Sequence, residues 1–351
     1  MRCIELFAGA GGAALGLEAA GIEHAALCEW DPHACATLRA AGLGPVVEGD
    51  VRDLDAIAAV AGESCDLLWS SFPCQAFSAA GKRLGAEDPR NGWPWTVDAL
   101  DRFEPRWFLG ENVRGLLCHS SEGHPDPLKC PRCYFEGVIM RDLRARFAFA
   151  GWWLLDAADF GVPQHRRRVI LWAGPVPLMP PAPTHADPAT LSQGGLFGPR
   201  LLPWVSMGGA LGLSGASVEA GYPDGRDVTG EPSPTVVGHW GKDGERSNQR
   251  VRVVAGHLAR PSPTVSAVGE MKGSGPGGHP EKMQRASDAL FLGTGRRRLT
   301  VEECAILQAF PDDHPWQGPK VARYRQVGNA VCPPMSEAVG RIVVAADHAL
   351  N

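Results

Sequence analysis

The sequence has no apolar run near the roughly 20 residues a membrane-spanning helix needs, which excludes a helical bilayer protein. No leader is evident either. Met1-Arg2-Cys3-Ile4 runs straight into a strand pattern, so a cytoplasmic location is expected. In that reducing compartment disulfides are not expected, and the ten cysteines read better as buried, metal-binding or catalytic. Positive charge is in deficit: 34 Lys+Arg against 39 Asp+Glu give a net charge of −5. That is not the balance of a chain coated in basic residues for nucleic acid. Lysine is scarcest among the cations, with only Lys82, Lys129, Lys242, Lys272, Lys282 and Lys320. Arginine, the better bidentate reader of phosphate and guanine, supplies the rest; a GC-rich genome produces the same bias.

What is present is unevenly spread. Residues 176–297 hold 12 Lys+Arg against 10 Asp+Glu, the one stretch with a positive balance. An acidic body with a mildly basic insert suits local grip on a polyanion. Across residues 1–174, strand-like runs (3–7, 25–29, 66–70, 106–110, 169–173) alternate with helix-like ones (10–20, 32–41, 134–150). This spacing predicts a doubly wound α/β sheet with helices on both faces. At Gly174 the texture changes. Pro175, Pro177, Pro180, Pro181 and Pro183 form a linker, and a Gly/Pro/Ser/Thr-rich stretch follows to about residue 295. There Pro232-Ser233-Pro234-Thr235-Val236 is echoed by Pro261-Ser262-Pro263-Thr264-Val265, suggesting paired β-arms. Helical pattern returns at residues 300–310, where Thr300 and Glu303 form a capping box, and again at 334–350.

Chemistry-bearing residues fall at the strand ends. Glu5-Leu6-Phe7-Ala8-Gly9-Ala10-Gly11-Gly12 joins the first strand to the first helix, and its glycines allow close backbone approach to a ligand. The second strand ends in Glu29-Trp30-Asp31: the acid suits a ribose diol and Trp30 an adenine face. Asp50, in Gly49-Asp50-Val51, suits the adenine amino group. Cys74 follows Pro73 after a buried strand, in Ser71-Phe72-Pro73-Cys74-Gln75-Ala76-Phe77-Ser78. A lone cysteine reads as a small buried hydrophobe. Here, though, Glu111-Asn112-Val113 ends another strand and Gln164-His165-Arg166-Arg167-Arg168 leads into the last. A thiolate, a carboxylic acid and an arginine cluster at neighbouring strand ends suit nucleophilic attack with protonation.

These blocks, in this order, resemble the motifs of the cytosine-C5 DNA methyltransferase family, of prokaryotic or phage type. Residues 298–311, with Leu307-Gln308-Ala309-Phe310-Pro311, resemble its helical motif, and Gly328-Asn329-Ala330-Val331 its closing motif. The resemblance implies a Rossmann-like methyltransferase domain (residues 1–174, completed by 318–351) with a smaller loop- and β-rich target-recognition domain (175–317). It implies methyl transfer from S-adenosylmethionine to C5 of a cytosine flipped out of double-stranded DNA, through a covalent Cys74 adduct at C6. Glu111 would bond N3, and Arg166 and Arg168 would hold the base carbonyl and Glu111. Phe7, Gly9, Gly11, Glu29, Trp30, Asp50, Val51, Pro73, Asn329 and Val331 would line the cofactor pocket. Residues 76–95 would form a loop closing over DNA. A monomer is expected, with room for a cognate restriction endonuclease as partner. Glu5 stands where the family usually has Asp, and Ser71 where Gly is common.

An insertion after Glu111 carries Cys118, His119, His124, Cys130 and Cys133. This is the spacing of a small structural zinc site; the expected ligands are Cys118, His124, Cys130 and Cys133, with His119 as substitute. In the middle stretch Thr235, His239, Trp240, Arg246, Arg250, Arg252, Arg260 and Thr264 are candidates for DNA contact, each also readable as a solvated side chain. Three rivals remain. A dinucleotide oxidoreductase leaves Cys74, Glu111 and the arginines unexplained, a middle domain of this size favours duplex DNA over an RNA substrate, and intact Cys74 and Glu111 argue against a non-catalytic DNA-binding relic.

Overall fold

The computed structural model describes residues 1–73, 88–119, 128–191, 201–211 and 299–351, and the backbone of 217–220 and 251–254. Cys74, His124, both copies of the Pro-Ser-Pro-Thr-Val echo and most of residues 76–95 lie outside the described residues, as do all the DNA-contact candidates except Arg252. Arg252 falls on a strand, Val251–Val254, which pairs antiparallel with Ser217–Ala220.

One mixed sheet organises the described part. Its strands β1 (Arg2–Leu6), β2 (Glu23–Glu29), β3 (Val46–Glu48), β4 (Leu67–Ser70), β5 (Trp107–Val113), β6 (Phe149–Asp156) and β7 (Arg167–Gly174) lie in the order β3-β2-β1-β4-β5-β7-β6. The first five are parallel, and β7 runs antiparallel between β5 and β6. The strands are apolar on both faces, as a sheet covered on both sides requires. In β7 Val169, Leu171 and Ala173 face one core, with Ile170 and Trp172 in the other. The first core receives the helices Leu54–Ala61 and Trp93–Phe103 and the helical stretch from Pro131 to Arg146. The second receives α1 (Gly12–Ala19) and the C-terminal helix Pro333–His348.

The doubly wound expectation holds, with two local corrections. The helix expected over 134–150 is α-helical only at Pro131–Tyr134 and Met140–Arg146, with a π-helical turn at Phe135–Ile139 between them. It stops at Arg146 because β6 begins at Phe149, pairing with β7 along its whole length. The strands expected at 106–110 and 169–173 extend to Val113 and back to Arg167. Glu111 and Arg168 therefore sit inside paired strands and not on loops.

Strand order reverses between β1 and β4, the position at which open α/β sheets leave a crevice beyond the strands' carboxyl ends. The loops after β1 and β4 carry the glycine motif and Phe72-Pro73. The C-terminal helix closes the back of this region against α1. A Cβ on Gly16 would strike the Pro333 carbonyl and Ser336 Oγ, and would lie 2.6 Å from the Glu337 amide. Gly340 approaches from the other side, where a Cβ would meet that of Ala20 at 2.9 Å. Small residues thus let two helices from opposite ends of the sequence touch backbone to side chain. A third cluster joins the capped helix Val301–Leu307 (both halves of the Thr300/Glu303 box are formed) to Tyr324, Val327 and Ala330.

Both departures from the family pattern have partners. Glu5, fully buried, reaches His24 Nε2 at 3.1 Å. Burial alone would lower the His24 pKa, but hydrogen bonds with Cys3, Glu18 and Glu5 prevail and push it up to about 12. Burial pushes the Glu5 carboxyl up as well, opposed by its hydrogen bond with His24. Ser71 Oγ accepts from the Trp69 indole at 2.9 Å, satisfying a donor that would otherwise be buried without one.

Candidate active site

The glycine motif turns sharply. Phe7, Gly9 and Gly11 all have positive φ, at 58°, 57° and 87°. For Phe7 this is an uncommon conformation, of the kind that clusters at ligand sites. Space around the glycines divides their work. A Cβ on Gly9 would meet nothing within 4 Å, so this backbone faces the open crevice. At Gly12 it would strike the Val331 carbonyl, bringing the closing motif directly against α1. Glu29 locks the turn: its carboxylate accepts from the amides of Gly9 (2.8 Å), Trp30 (3.0 Å) and Asp31 (2.9 Å). Burial pushes the Glu29 carboxyl up, opposed by those same hydrogen bonds. Trp30 beside it is 78% exposed, a large flat apolar surface at the crevice rim.

Asp50 is differently engaged. Its carboxylate accepts from the Arg52 amide at 3.0 Å and from the guanidinium Nε at 2.9 Å. The Arg52 hydrogen bond holds the Asp50 carboxyl below the usual carboxylate range. The Arg52 guanidinium lies 5.3 Å from the centre of the Trp95 ring, which in turn stacks on Phe7 at 6.4 Å. A lining of Phe7, Trp95 and Arg52 thus borders the crevice; neither Arg52 nor Trp95 is signalled by the sequence motifs. Val51 is buried, as is Val331, while Asn329 is exposed at the end of the Lys320–Asn329 helix.

At the ends of β5 and β7 the catalytic candidates meet. In the antiparallel register Val113 opposes Arg168, so Glu111, two residues back on the same face, is a diagonal neighbour. The Arg168 Nε lies 2.7 Å from Glu111 Oε1, with Glu111 8% and Arg168 7% exposed. Arg166 turns elsewhere. It is 1% exposed and donates to the carbonyls of Gly328 (3.0 Å) and Ala330 (2.8 Å) in the closing motif. Burial, aided by neighbouring Arg168, pulls its pKa down to about 9. The Arg166 amide donates to Asp156 Oδ1 at 2.9 Å, and the same carboxylate takes His165 Nδ1 at 3.1 Å and Arg167 Nε at 3.2 Å.

Burial raises the Asp156 pKa, but hydrogen bonds led by His165 prevail and lower it. Its stabilising effect is therefore complete above the ordinary aspartate value of about 3.9 and is lost as pH falls through the lower folded value. Asp156→Asn is expected to destabilise the protein at neutral pH, with the gap to wild type narrowing below about pH 4. Urea unfolding at pH 7 and at pH 3 checks this; a gap independent of pH contradicts it.

Pro73 is the last described residue before Cys74. Its surroundings are tightly set. The buried Asn112 donates through Nδ2 to the Phe72 carbonyl at 3.0 Å, and a Cβ on Gly92 would overlap Pro73 Cδ at 2.5 Å. Asn112 belongs to the Glu-Asn-Val block, yet its role in holding the Pro-Cys backbone could not be read from that block. The sulfur of Cys332 is near Glu111, Arg166 and Arg168. It is fully buried and its thiol is pushed up to about 11, so it is a poor nucleophile.

In the insertion, the nitrogen and sulfur atoms of His119, Cys130 and Cys133 lie within 4.8 Å of one another. His119, the expected substitute, is the histidine of this group, and His124 lies outside the described residues. The Cys118 thiol lies against the Arg114 carbonyl at 3.9 Å. Among the described residues no helix is long and apolar enough to cross a membrane.

A family model of C-5 cytosine-specific DNA methylase matches residues 1–178 and 243–345. The chain is 34% identical to the type II methyltransferase M.NaeI of Lentzea aerocolonigenes, across 99% of this chain and 75% of that protein. It is 33% identical to M.NgoMIV of Neisseria gonorrhoeae, across 98% and 97%. Among solved structures, a putative DNA modification methyltransferase from an Escherichia coli prophage aligns with a TM-score of 0.61 at 18% identity, covering 99% of both chains. Dnmt2 of S. pombe aligns at 0.58 and 16%, covering 100% of this chain and 99% of that one. These two carry the fold alone. With the family model matching both ends of the chain and the M.NaeI relative spanning nearly all of it, the chain belongs to the C-5 cytosine-specific DNA methylase family and is a DNA cytosine methyltransferase.

Proposed function

We propose that the enzyme methylates C5 of a flipped-out cytosine within a specific duplex DNA sequence, with Cys74 as nucleophile and S-adenosylmethionine as methyl donor. The observation that carries this reading is the buried Glu111–Arg168 pair, set beside a Phe72-Pro73 backbone that Asn112 pins. Nucleophile and acid thus belong to adjacent strand ends.

The crevice fits the donor. The open backbone at Gly9, the Glu29 carboxylate and exposed Trp30 offer space, ribose acceptors and an aromatic face. Phe7, Gly11, Asp50, Val51, Pro73, Asn329 and Val331 complete the proposed lining. When bound, S-adenosylmethionine supplies the methyl group as an electrophile. The chain's residues prepare the base to receive it. The Cys74 thiolate forms a bond to C6, and the electron pair displaced through the ring is stabilised as Glu111 delivers a proton to N3. C5 thereby becomes the nucleophilic atom. After methylation, water takes the C5 proton, the C5–H electron pair restores the C5–C6 double bond and expels the Cys74 thiolate, and N3 returns its proton to Glu111. Arg168 holds the Glu111 carboxyl in place, and Arg166 ties the closing motif to the same strand end.

Residues 1–174 with 318–351 serve as the catalytic domain, and 175–317 read the target sequence. The contact of α1 with the Pro333–His348 helix supports the first half of this division. The names of the M.NaeI and M.NgoMIV relatives favour a role in restriction-modification with a cognate endonuclease, acting on DNA in the cytoplasm of a bacterial or phage-infected cell. Tritiated S-adenosylmethionine offered with duplex DNA, with tRNA and with no acceptor tests the proposal. Label should enter DNA alone; transfer to tRNA without transfer to DNA overturns it.

Asn112 acts on the reaction through Phe72 as a positioning residue. Asn112→Ala is expected to lower kcat by roughly 10- to 100-fold while leaving equilibrium binding of S-adenosylmethionine unchanged. An equal loss of cofactor affinity would show that Asn112 supports the pocket in general and not the nucleophile loop.

A further inference from the structure

The insertion between β5 and the Pro131–Tyr134 helix has no part in the methyl transfer just described. It nonetheless brings three ligand-type side chains together. Cys130 Sγ and His119 Nδ1 are 3.7 Å apart, and with Cys133 Sγ they form a set spanning no more than 4.8 Å. Ligand atoms around a tetrahedral zinc stand roughly 3.4–3.8 Å apart, given bond lengths of about 2.1–2.3 Å. One edge of the triangle already has that length, and the others need at most about 1.5 Å of contraction. Cys130 is 1% exposed and is the N-cap of a helix whose first residue is Pro131. That turn fixes the direction in which the Cys-x2-Cys pair presents its sulfurs.

A fourth ligand is within reach. The Arg132 amide, between the two cysteines, donates to the Cys118 carbonyl at 3.3 Å. The Cys118 backbone is therefore docked on the Cys130–Cys133 turn, and rotation of its side chain away from the Arg114 carbonyl brings a third sulfur toward the cluster. We infer that Cys118, His119, Cys130 and Cys133 bind one zinc-class divalent cation as a closed structural site.

The site occupies a strategic place. One Arg114–Leu117 turn separates Glu111-Asn112-Val113 from Cys118. On the other side Tyr134 follows Cys133 directly, and its hydroxyl accepts from Asn91 Nδ2 at 2.8 Å. Asn91 adjoins Gly92, whose backbone packs on Pro73. A cation here ties the strap leaving the catalytic acid to the turn that abuts the base of the nucleophile loop. Soft thiolates favour zinc over magnesium or calcium, and binding would release the thiol protons.

The test uses the full chain, purified under reducing conditions without added chelator, with zinc measured by plasma mass spectrometry. About one zinc per chain is expected, and removing it should lower the thermal midpoint. Refilling with Co²⁺ should give a thiolate-to-cobalt charge-transfer band, reduced by about a third in Cys118→Ser as one of three thiolates is lost. Cys133→Ser, at a half-buried position, should weaken zinc binding at least roughly 10-fold while the variant remains folded by circular dichroism. The inference is overturned if folded, reduced wild-type protein takes up no zinc at micromolar concentration. It is overturned equally if Cys133→Ser retains wild-type affinity, or if Cys130 and Cys133 are joined as a disulfide in protein from the cytoplasm.

Discussion

Cys74→Ala protein is expected to show no methyl transfer above background, a loss of roughly 10⁴-fold or more in kcat. The argument is chemical. C5 of cytosine is not nucleophilic enough to take a methyl group until a bond at C6 has pushed electron density toward it. Without the thiolate that step has no substitute among the described residues, since Cys332, a sulfur near Glu111, is fully buried with its thiol raised to about 11. The loss should be confined to chemistry: calorimetric binding of S-adenosylmethionine should match wild type, because the Glu29 and glycine-motif contacts are untouched. A 5-fluorocytosine duplex should trap wild type as a denaturation-resistant complex and leave Cys74→Ala untrapped. Residual covalent capture in the variant would move the nucleophile elsewhere. Glu111→Gln should reduce kcat by roughly 10²- to 10⁴-fold, the range for loss of a positioned proton donor, while still forming part of the adduct.

The largest effect on stability is expected at Gly16, far from the chemistry. Even a single added carbon would overlap the Pro333 carbonyl and Ser336 Oγ, and both belong to a helix anchored by fully buried Met335, Val339 and Val343. Backbone at a helix start does not swing aside as a long side chain can. Gly16→Val is therefore expected to cost about 3 kcal/mol or more, enough to lower the thermal midpoint by several degrees in a chain of this size. Gly21→Ala provides the contrast. There a Cβ meets nothing within 4 Å, and only the positive φ of 86° opposes the change, so about 1 kcal/mol is expected. Calorimetry on the two variants separates packing from backbone strain; equal losses would show that helix contact is not the governing term.

The residues that were legible in the sequence share a property: their chemistry and their place at a strand end are both encoded locally. Glu29, Pro73 and the glycine motif are of this kind. So is the Thr300–Glu303 capping box, a four-residue signature. What was not legible depends on pairings between distant segments. The reversal of β7 is invisible in its own apolar run, since Val169–Ala173 reads identically in either direction. Residues 149–150 have the pattern of a helix end, but partnership with β7 decides their state, and propensity is weak against pairing. The Asp50–Arg52 contact is local, yet the motif pattern assigns Asp50 to a ligand and says nothing of the arginine two residues on. In the insertion, spacing alone allows either histidine, and it takes the folded geometry to bring His119 together with Cys130 and Cys133 among the described residues.

The backbone contact between Gly12 and Val331 has a consequence for how the chain matures. More than 300 residues separate the two, so the crevice beside the first strand acquires its rear wall only after the Pro333–His348 helix has left the ribosome. Until then Ala13 and Leu17 of α1, and Ala20 at its C-cap, lack the part of their core that the Pro333–His348 helix supplies. Contacts of such long range close late and slowly. A nascent enzyme of this design therefore has an incomplete crevice until residues 328–348 have been made and have packed against α1.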